Sequence, residues 1–351
     1  MAFYDGVFDS LGLRSWCDAG ANDGPMTMAQ LLQKKSGVTP EVAATQSTPL
    51  MDTPFPSLDS LHEACNSIPR TRDMTEAVEL SFLSIKDPLK AVLDPITQPL
   101  SWALDGTMNL FEATPWFIMI PALLLLTWFA ARSLGIVLLV AASFLFLGFI
   151  DHYTYAIQTL SIIFVCTMIS VAIGVPIGIA MARNDTFQRI NIPLLDMLQT
   201  LPTFVYLIPL IFLFSVTESK LYGIAIILYA VVPVIRLTDL GIRLVDRDVI
   251  EAADAFGMTD RQKLFGVQIP LALPNIMAGV NQTIMMSLAM VVIASLVSAP
   301  GLGVLVLRGI RNLELGVGLV SGFGIVLLAV LLDRCTKAAL NRINVSTKAG
   351  S

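Results

Sequence analysis

Glu251, Gly257, Thr259 and Gln262, with Asp248 just ahead of them, are spaced for helix capping and turning in a polar segment, residues 251–270, that lies between long apolar runs. Asp248 can cap a short helix with Glu251 at its third position, and Gly257 can end that helix by adopting a left-handed conformation. Thr259 and Gln262 have the spacing of a capping box for a second helix, expected to stop before Pro270. The expected product is a rigid helix-turn-helix knob, placed where a membrane protein would be gripped from the cytoplasm.

Bond-making chemistry has little support elsewhere. The sequence holds no GxxxxGK followed by Ser or Thr, so it lacks the usual cradle for nucleotide phosphates, and an energy source is expected on another polypeptide. Asp196, Asp239 and Asp333 fall near span ends, where pairing with Arg or contact with solvent is expected, and no Ser/His/Asp spacing stands out. The two histidines are His62, in the N-terminal tail, and His152, expected in a solvated loop. Of the four cysteines, Cys166 and Cys335 read as small apolar residues, and an outside location of the tail would permit a Cys17–Cys65 disulfide. No Cys/His metal spacing occurs, and neither an enzyme, a metal site nor a cofactor is expected.

The elements that must carry the knob are apolar. Hydrophobic residues make up 55% of the 351 and charged residues only 14%, with a mean hydropathy of +0.74. Soluble chains carry about 25% charged residues, so this is an integral membrane protein of all-α class. Stretches free of Asp, Glu, Lys and Arg run over 113–131, 133–150, 152–182, 197–217, 221–235, 264–307 and 315–332, giving about seven expected transmembrane helices. Lys220 and Arg236 can lengthen the short fifth run by snorkelling. The sixth is too long for one helix, and prolines and glycines should divide it, with the crossing at about 275–298.

Basic residues set the orientation. Arg132, Arg183, Arg189, Arg236, Arg243, Arg247, Arg261, Lys263, Arg334, Lys337, Arg342 and Lys348 would share one side, against Lys220, Arg308 and Arg311 in short loops opposite. The knob and the C-terminus are therefore expected in the cytoplasm and the N-terminus outside. Residues 1–113, with 15 of the 27 acidic residues, form a separate, partly disordered extracytoplasmic region. Within it Ile96, Leu100, Leu104, Met108 and Phe111 recur at helical steps, as in a helix lying in the membrane interface. The expected domains are this tail, a transmembrane domain over 114–342 with the polar loop at 237–274, and a cytoplasmic tail over 343–351.

Two spans carry breaks. GVPIG, residues 174–178, could form a hinge, and QTLPTFVYLIP, residues 199–209, frees backbone carbonyls at depth. In the sixth span Asn281 and Met285 share a helical stripe, a mildly polar and deformable face that suits passage of a small solute or simply close helix packing. Thr200, Pro202, Tyr206, Asn281, Met285 and Ser287 are the residues expected to line a pathway. The span centres hold no ionisable group, which weighs against a proton- or sodium-coupled carrier.

The spacing of EAA, three residues, Gly, nine residues, then an aliphatic, one residue, an aliphatic and Pro resembles the EAA loop of permease subunits of ATP-binding-cassette importers. Together with PLLDMLQTLPTFVYLIP, IMAGVNQT, MVVIASLV and LRGI, it resembles the permease of glycine betaine and proline betaine uptake systems over residues 95–340. The resemblance implies a type I importer core of five helices in the inner membrane. It also implies a homodimer, two copies of an ATPase subunit and an extracytoplasmic binding protein. Glu251, Ala252, Ala253, Gly257 and Arg261 would dock the ATPase. The cargo would be a small methylated amine: glycine betaine, proline betaine, choline, carnitine or trimethylamine N-oxide. A stand-alone transporter or channel, and a membrane scaffold or osmosensing module, are the competing expectations.

Overall fold

The computed structural model describes residues 71–349 together with Tyr4, Val7, Phe8, residues 10–19, Leu61, Cys65 and Ile68, and side chains in the C-terminal helix as far as residue 339. His62 and the side chains of Arg342 and Lys348 lie outside the described residues. No β-strand occurs among the described residues, in keeping with the all-α membrane class. The chain divides into two compact units, residues 1–87 and 88–351.

In the first unit, helix α1 (Arg14–Ala19) carries Cys17, which is joined to Cys65 by a disulfide with a Cα–Cα separation of 4.5 Å. Both cysteines are buried beside Phe8.

Helix α2 (Thr71–Ala113) runs through Pro88, Pro95 and Pro99 without a break. In its second half Leu100, Leu104 and Phe111 pack into the core of the larger unit, whereas Ile96 is 71% exposed. The chain then bends at Pro115 into two 16-residue helices, α3 (Trp116–Ala131) and α4 (Leu134–Phe149). At 1.5 Å per residue each is about 24 Å long, short of a bilayer core of about 30 Å.

Helices α5 (Tyr153–Arg183), α8 (Ser219–Arg243) and α11 (Ile269–Ala294) form the centre of the bundle. Four helical segments among the described residues, 153–183, 219–243, 260–297 and 315–339, are long and apolar enough to cross a membrane, or five if the bent pair α2 and α3 counts as one span. The apolar run 197–217 is not a continuous helix. It comprises the end of α6 (Asp185–Thr200), an irregular turn at 201–206, and the short α7 (Leu207–Leu213). Pro202 explains the break, since it holds Leu201 extended at ψ 133°.

The GVPIG segment departs from the hinge expectation. Helix α5 continues through Pro176, and its glycines serve packing. A Cβ at Gly174 would lie 2.4 Å from Val234 Cγ1, and one at Gly178 would lie 2.6 Å from Thr238 Cβ and 2.7 Å from the Ile235 carbonyl oxygen. Four residues apart, the two glycines share a face and let α5 and α8 approach closely, as small residues do between membrane helices. Gly279 does the same for α11, where a Cβ would meet Val234 Cα at 3.0 Å.

His152 is not a solvated loop residue. It is half-buried at the start of α5, with Nδ1 2.6 Å from the Ile150 carbonyl oxygen and Nε2 3.2 Å from Ser321 Oγ. This ties the turn between α4 and α5 to the final helix, α13 (Leu315–Ala349), which follows α12 (Leu302–Arg311). At the start of α8, Lys220 also has a structural place. Its side chain is 5% exposed and its Nζ lies 2.7 Å from Asp94 and 2.8 Å from Glu218, which anchors α2.

Candidate functional site

The polar segment folds as an elbow of two short helices, α9 (Arg247–Ala255) and α10 (Asp260–Lys263). The cap of α9 is Asp246, not Asp248: the Asp246 carboxylate accepts the Asp248 N–H at 3.0 Å. Helix α9 therefore begins two residues earlier than the spacing from Glu251 suggested, which places Asp248 in the first turn, near the positive end of the helix dipole. Gly257 follows α9 with φ +71°, and a Cβ there would meet nothing within 4 Å. Backbone conformation alone therefore favours glycine at this turn. The capping box is present, with the Thr259 N–H donating to Gln262 Oε1 at 2.8 Å.

Pro270 does not end α10. A π-helical turn, Leu264–Gln268, joins α10 to α11, with Pro270 in the first turn of α11. A proline is tolerated there because the wider π turn just before it makes room for the ring within a continuous helix. The elbow is thus continuous with a central helix of the bundle.

Lys263, absent from the residues expected to matter, braces the elbow from inside. Its ammonium group lies 2.6 Å from Asp254 and 3.1 Å from Asp260, linking the two short helices. Glu251 and Arg261 are exposed and have neither ion pair nor side-chain hydrogen bond among the described residues. Ala252 is exposed beside them, whereas Ala253 is 5% exposed and packs inward. Phe256 is 85% exposed, next to Gly257. An aromatic residue in an otherwise polar loop was the available signal for it.

A polar seam lies between α8 and α6, just before the elbow. Arg243 Nε donates to Asp239 Oδ1 at 2.9 Å, Nη1 to Asp185 Oδ1 at 2.7 Å and Nη2 to the Met181 carbonyl oxygen at 2.8 Å. Gln188 Nε2 donates to the other Asp239 oxygen at 2.6 Å, and Arg236 pairs with Asp196. Leu195 and Leu198 of α6 complete the contact against Val231–Ile235 of α8. The expected Arg–Asp pairing at helix ends holds for Asp196 and Asp239, while Asp333 pairs with Lys337 at 2.9 Å and accepts from Asn281 Nδ2 at 3.3 Å.

The residues assigned to a pathway fall into two groups. Thr200 and Pro202 are exposed at the break between α6 and α7, and the Tyr206 hydroxyl there donates to Met290 Sδ of α11 at 3.6 Å. Asn281 and Met285 are half-buried on α11. Ser287 is fully buried, with its Oγ 3.4 Å from Thr167 Oγ1 of α5, so it sits in a helix–helix contact. The break and α11 are therefore brought together, while Ser287 faces a neighbouring helix.

Residues 174–345 match the family described as binding-protein-dependent transport system inner membrane component. The bundle and its elbow thus belong to a transport component of the inner membrane. The glycine betaine/proline betaine transport system permease protein ProW of Escherichia coli (strain K12) is 39% identical over 82% of this chain and 81% of that protein. The glycine betaine transport system permease protein OpuAB of Bacillus subtilis (strain 168) is 41% identical over 74% of this chain and 95% of that protein. The trimethylamine N-oxide transport system permease protein TmoV of Ruegeria pomeroyi is 36% identical over 73% of this chain and 40% of its own length. An inward-facing structure of the MetNI methionine ABC transporter aligns with a TM-score of 0.49 at 20% identity, covering 54% of this chain and 94% of that one. The chain belongs to the glycine betaine/proline betaine family of ABC importer permeases. It is a permease subunit of a transport system, and membership of this family implies an ATPase and a substrate-binding protein as partners.

Proposed function

We propose that the chain forms the membrane passage for small methylated amines, driven by a separate ATPase that grips the elbow through Glu251, Ala252, Phe256, Gly257 and Arg261. The observation that carries this reading is the elbow's division of labour. Its capping box, left-handed glycine and Lys263 bridges are satisfied internally, while Glu251, Arg261 and Phe256 stay exposed and uncommitted. Ala253 supports the elbow from beneath. A mixed surface of unpaired charge around an aromatic anchor suits a protein groove.

In this reading two copies of the chain assemble, with a soluble binding protein delivering cargo on the outer side. The elbow and C-terminus face the cytoplasm, a reading supported by the excess of Arg and Lys in the loops on that side, and residues 1–113 lie outside. The Cys17–Cys65 disulfide is in keeping with an oxidising compartment. Residues 114–342 form the transmembrane domain, with the loop 237–274 carrying the elbow. Thr200, Pro202 and Tyr206 at the break, with Asn281 and Met285 of α11, line the passage, and Ser287 holds α11 against α5. The cargo class follows the names of the relatives, which include glycine betaine, carnitine and trimethylamine N-oxide permeases.

The test is uptake of labelled glycine betaine and trimethylamine N-oxide by proteoliposomes. Uptake is expected only when the chain, its ATPase, its binding protein and ATP are all present. Gly257→Val should leave ATP hydrolysis running without uptake, because a β-branched residue resists φ +71° and distorts the grip. Uptake by the isolated chain, or full coupling in the valine variant, would overturn the reading.

A further inference from the structure

The seam between α6 and α8 lies directly between the elbow and the break at 201–206. Arg236, Asp239 and Arg243 are spaced three and four residues apart, so they share one face of α8, and the facing groups Asp185, Gln188 and Asp196 share a face of α6. Three residues, 244–246, separate Arg243 from the first residue of the elbow helix α9. At the other end, α6 stops at Thr200 and the irregular turn begins at Leu201. The N-terminus of α6 is fixed too. The Asn184 side chain accepts the Thr186 and Phe187 N–H groups at 3.0 and 3.1 Å, and Arg243 reaches past that corner to the Met181 carbonyl.

Arg236, Asp239 and Arg243 with Asp185, Gln188 and Asp196 hold α5, α6 and α8 together along this contact. The turn at 201–206 is different: no side-chain hydrogen bond among the described residues ties Leu201–Val205 to a neighbouring helix, and Pro202 removes a backbone donor. Force applied at the elbow therefore meets a stiff block first and a compliant joint second.

We propose that Arg243, Asp239, Gln188 and the Arg236–Asp196 pair are positioning residues that make α6 a lever, moving as one body with the elbow and turning at residues 201–206. Displacement of the elbow is thereby delivered to Pro202 and Tyr206, where the chain meets Met290 of α11. This deepens the reading that an ATPase grips the elbow and rests on it, and it assigns to α6 the transmission of the stroke.

Two experiments on the assembled complex in proteoliposomes test the lever, each after ATPase binding has been measured. In the first, Asp196→Arg and Arg236→Asp are made singly and together. Each single change places like charges opposite one another and should lower solute moved per ATP by about fivefold, the upper range for an exposed pair, with hydrolysis retained. The double exchange restores opposite charges and should bring the ratio back to within about twofold of the parent. In the second, Asp196→Cys with Arg236→Cys is joined by a short bifunctional thiol reagent and compared with the parent chain treated alike. If α6 and α8 travel as one body, uptake persists with the seam locked.

Coupled transport unchanged in both single variants, an exchange that fails to restore it in an assembled complex, or loss of uptake on cross-linking would each overturn the lever. Failure of the parent chain to bind the ATPase at all would instead sink the reading of the elbow.

Discussion

Gly178→Ala places a single methyl group where α5 and α8 are closest. The added Cβ would lie 2.6 Å from Thr238 Cβ, 2.9 Å from Thr238 Cγ2 and 2.7 Å from the Ile235 carbonyl oxygen. Ordinary van der Waals contact begins near 3.4 Å, so the overlap is roughly 0.7–0.8 Å against two carbon or backbone atoms that rotamer change cannot remove. The helices must separate, and overpacking of this kind costs about 1–3 kcal/mol. In a tenfold-per-1.4 kcal/mol scale, the folded-to-unfolded ratio falls by about 5- to 150-fold. The assay is reversible unfolding of the purified chain in mixed micelles of increasing SDS content, followed by circular dichroism. Gly266→Ala is the internal control, since its Cβ would meet nothing within 4 Å and its φ is not positive. It should leave the midpoint in place or raise it slightly. A Gly178→Ala chain as stable as the parent would refute the account of GVPIG as a packing face.

Other outcomes follow from the same geometry. Thr259→Ala removes one half of the capping box and should destabilise α10 by about 1 kcal/mol, read as faster amide exchange over residues 260–263 with the bundle unaffected. Lys220→Met leaves Asp94 and Glu218 without their common cation; faster exchange in α2 is expected, and Asp94→Asn should partly reverse it. Cys17 and Cys65 should react with a membrane-impermeant maleimide added to intact cells only after reduction; labelling without reductant would count against the disulfide, and none after reduction against an outside tail.

What could be read in advance depended on whether the signal was local. The knob was legible because Gly257, Thr259 and Gln262 act through their own backbone neighbours, within a few residues. Four of the apolar runs were legible as crossing helices because bilayer thickness imposes a length whatever the packing, whereas 113–131 and 133–150 form 16-residue helices and 197–217 is broken at Pro202. The role of Gly174 and Gly178 was not, since a proline between two glycines suggests a bend in isolation. Only the presence of Val234 and Thr238 opposite them reveals a contact face. Pro270 was misjudged for a related reason: as a helix breaker it pointed to an end, but the wide turn before it makes room for its ring while the helix continues. The seam partners were half legible. Asp196 and Asp239 were expected to meet arginines, yet Arg243 also reaches Asp185 of α6 and a main-chain oxygen of α5, and Asp239 takes a further bond from Gln188 of α6. His152 and Lys220 likewise acquired partners more than 100 residues away in sequence.

The π turn at Leu264–Gln268 has a bearing on how such a chain can vary. One residue beyond the α-helical count is accommodated there, so α10 and α11 are about 100° out of phase with a single uninterrupted rod. Loss of one residue between 264 and 268 would let the rod become regular with Arg261 still on its present side, whereas loss of one residue from either flank, with the wide turn kept, would swing that side by about 100° around the axis. Residue number is therefore held by azimuth in the flanking helices, and the turn is the one place along the rod where a residue can be dropped.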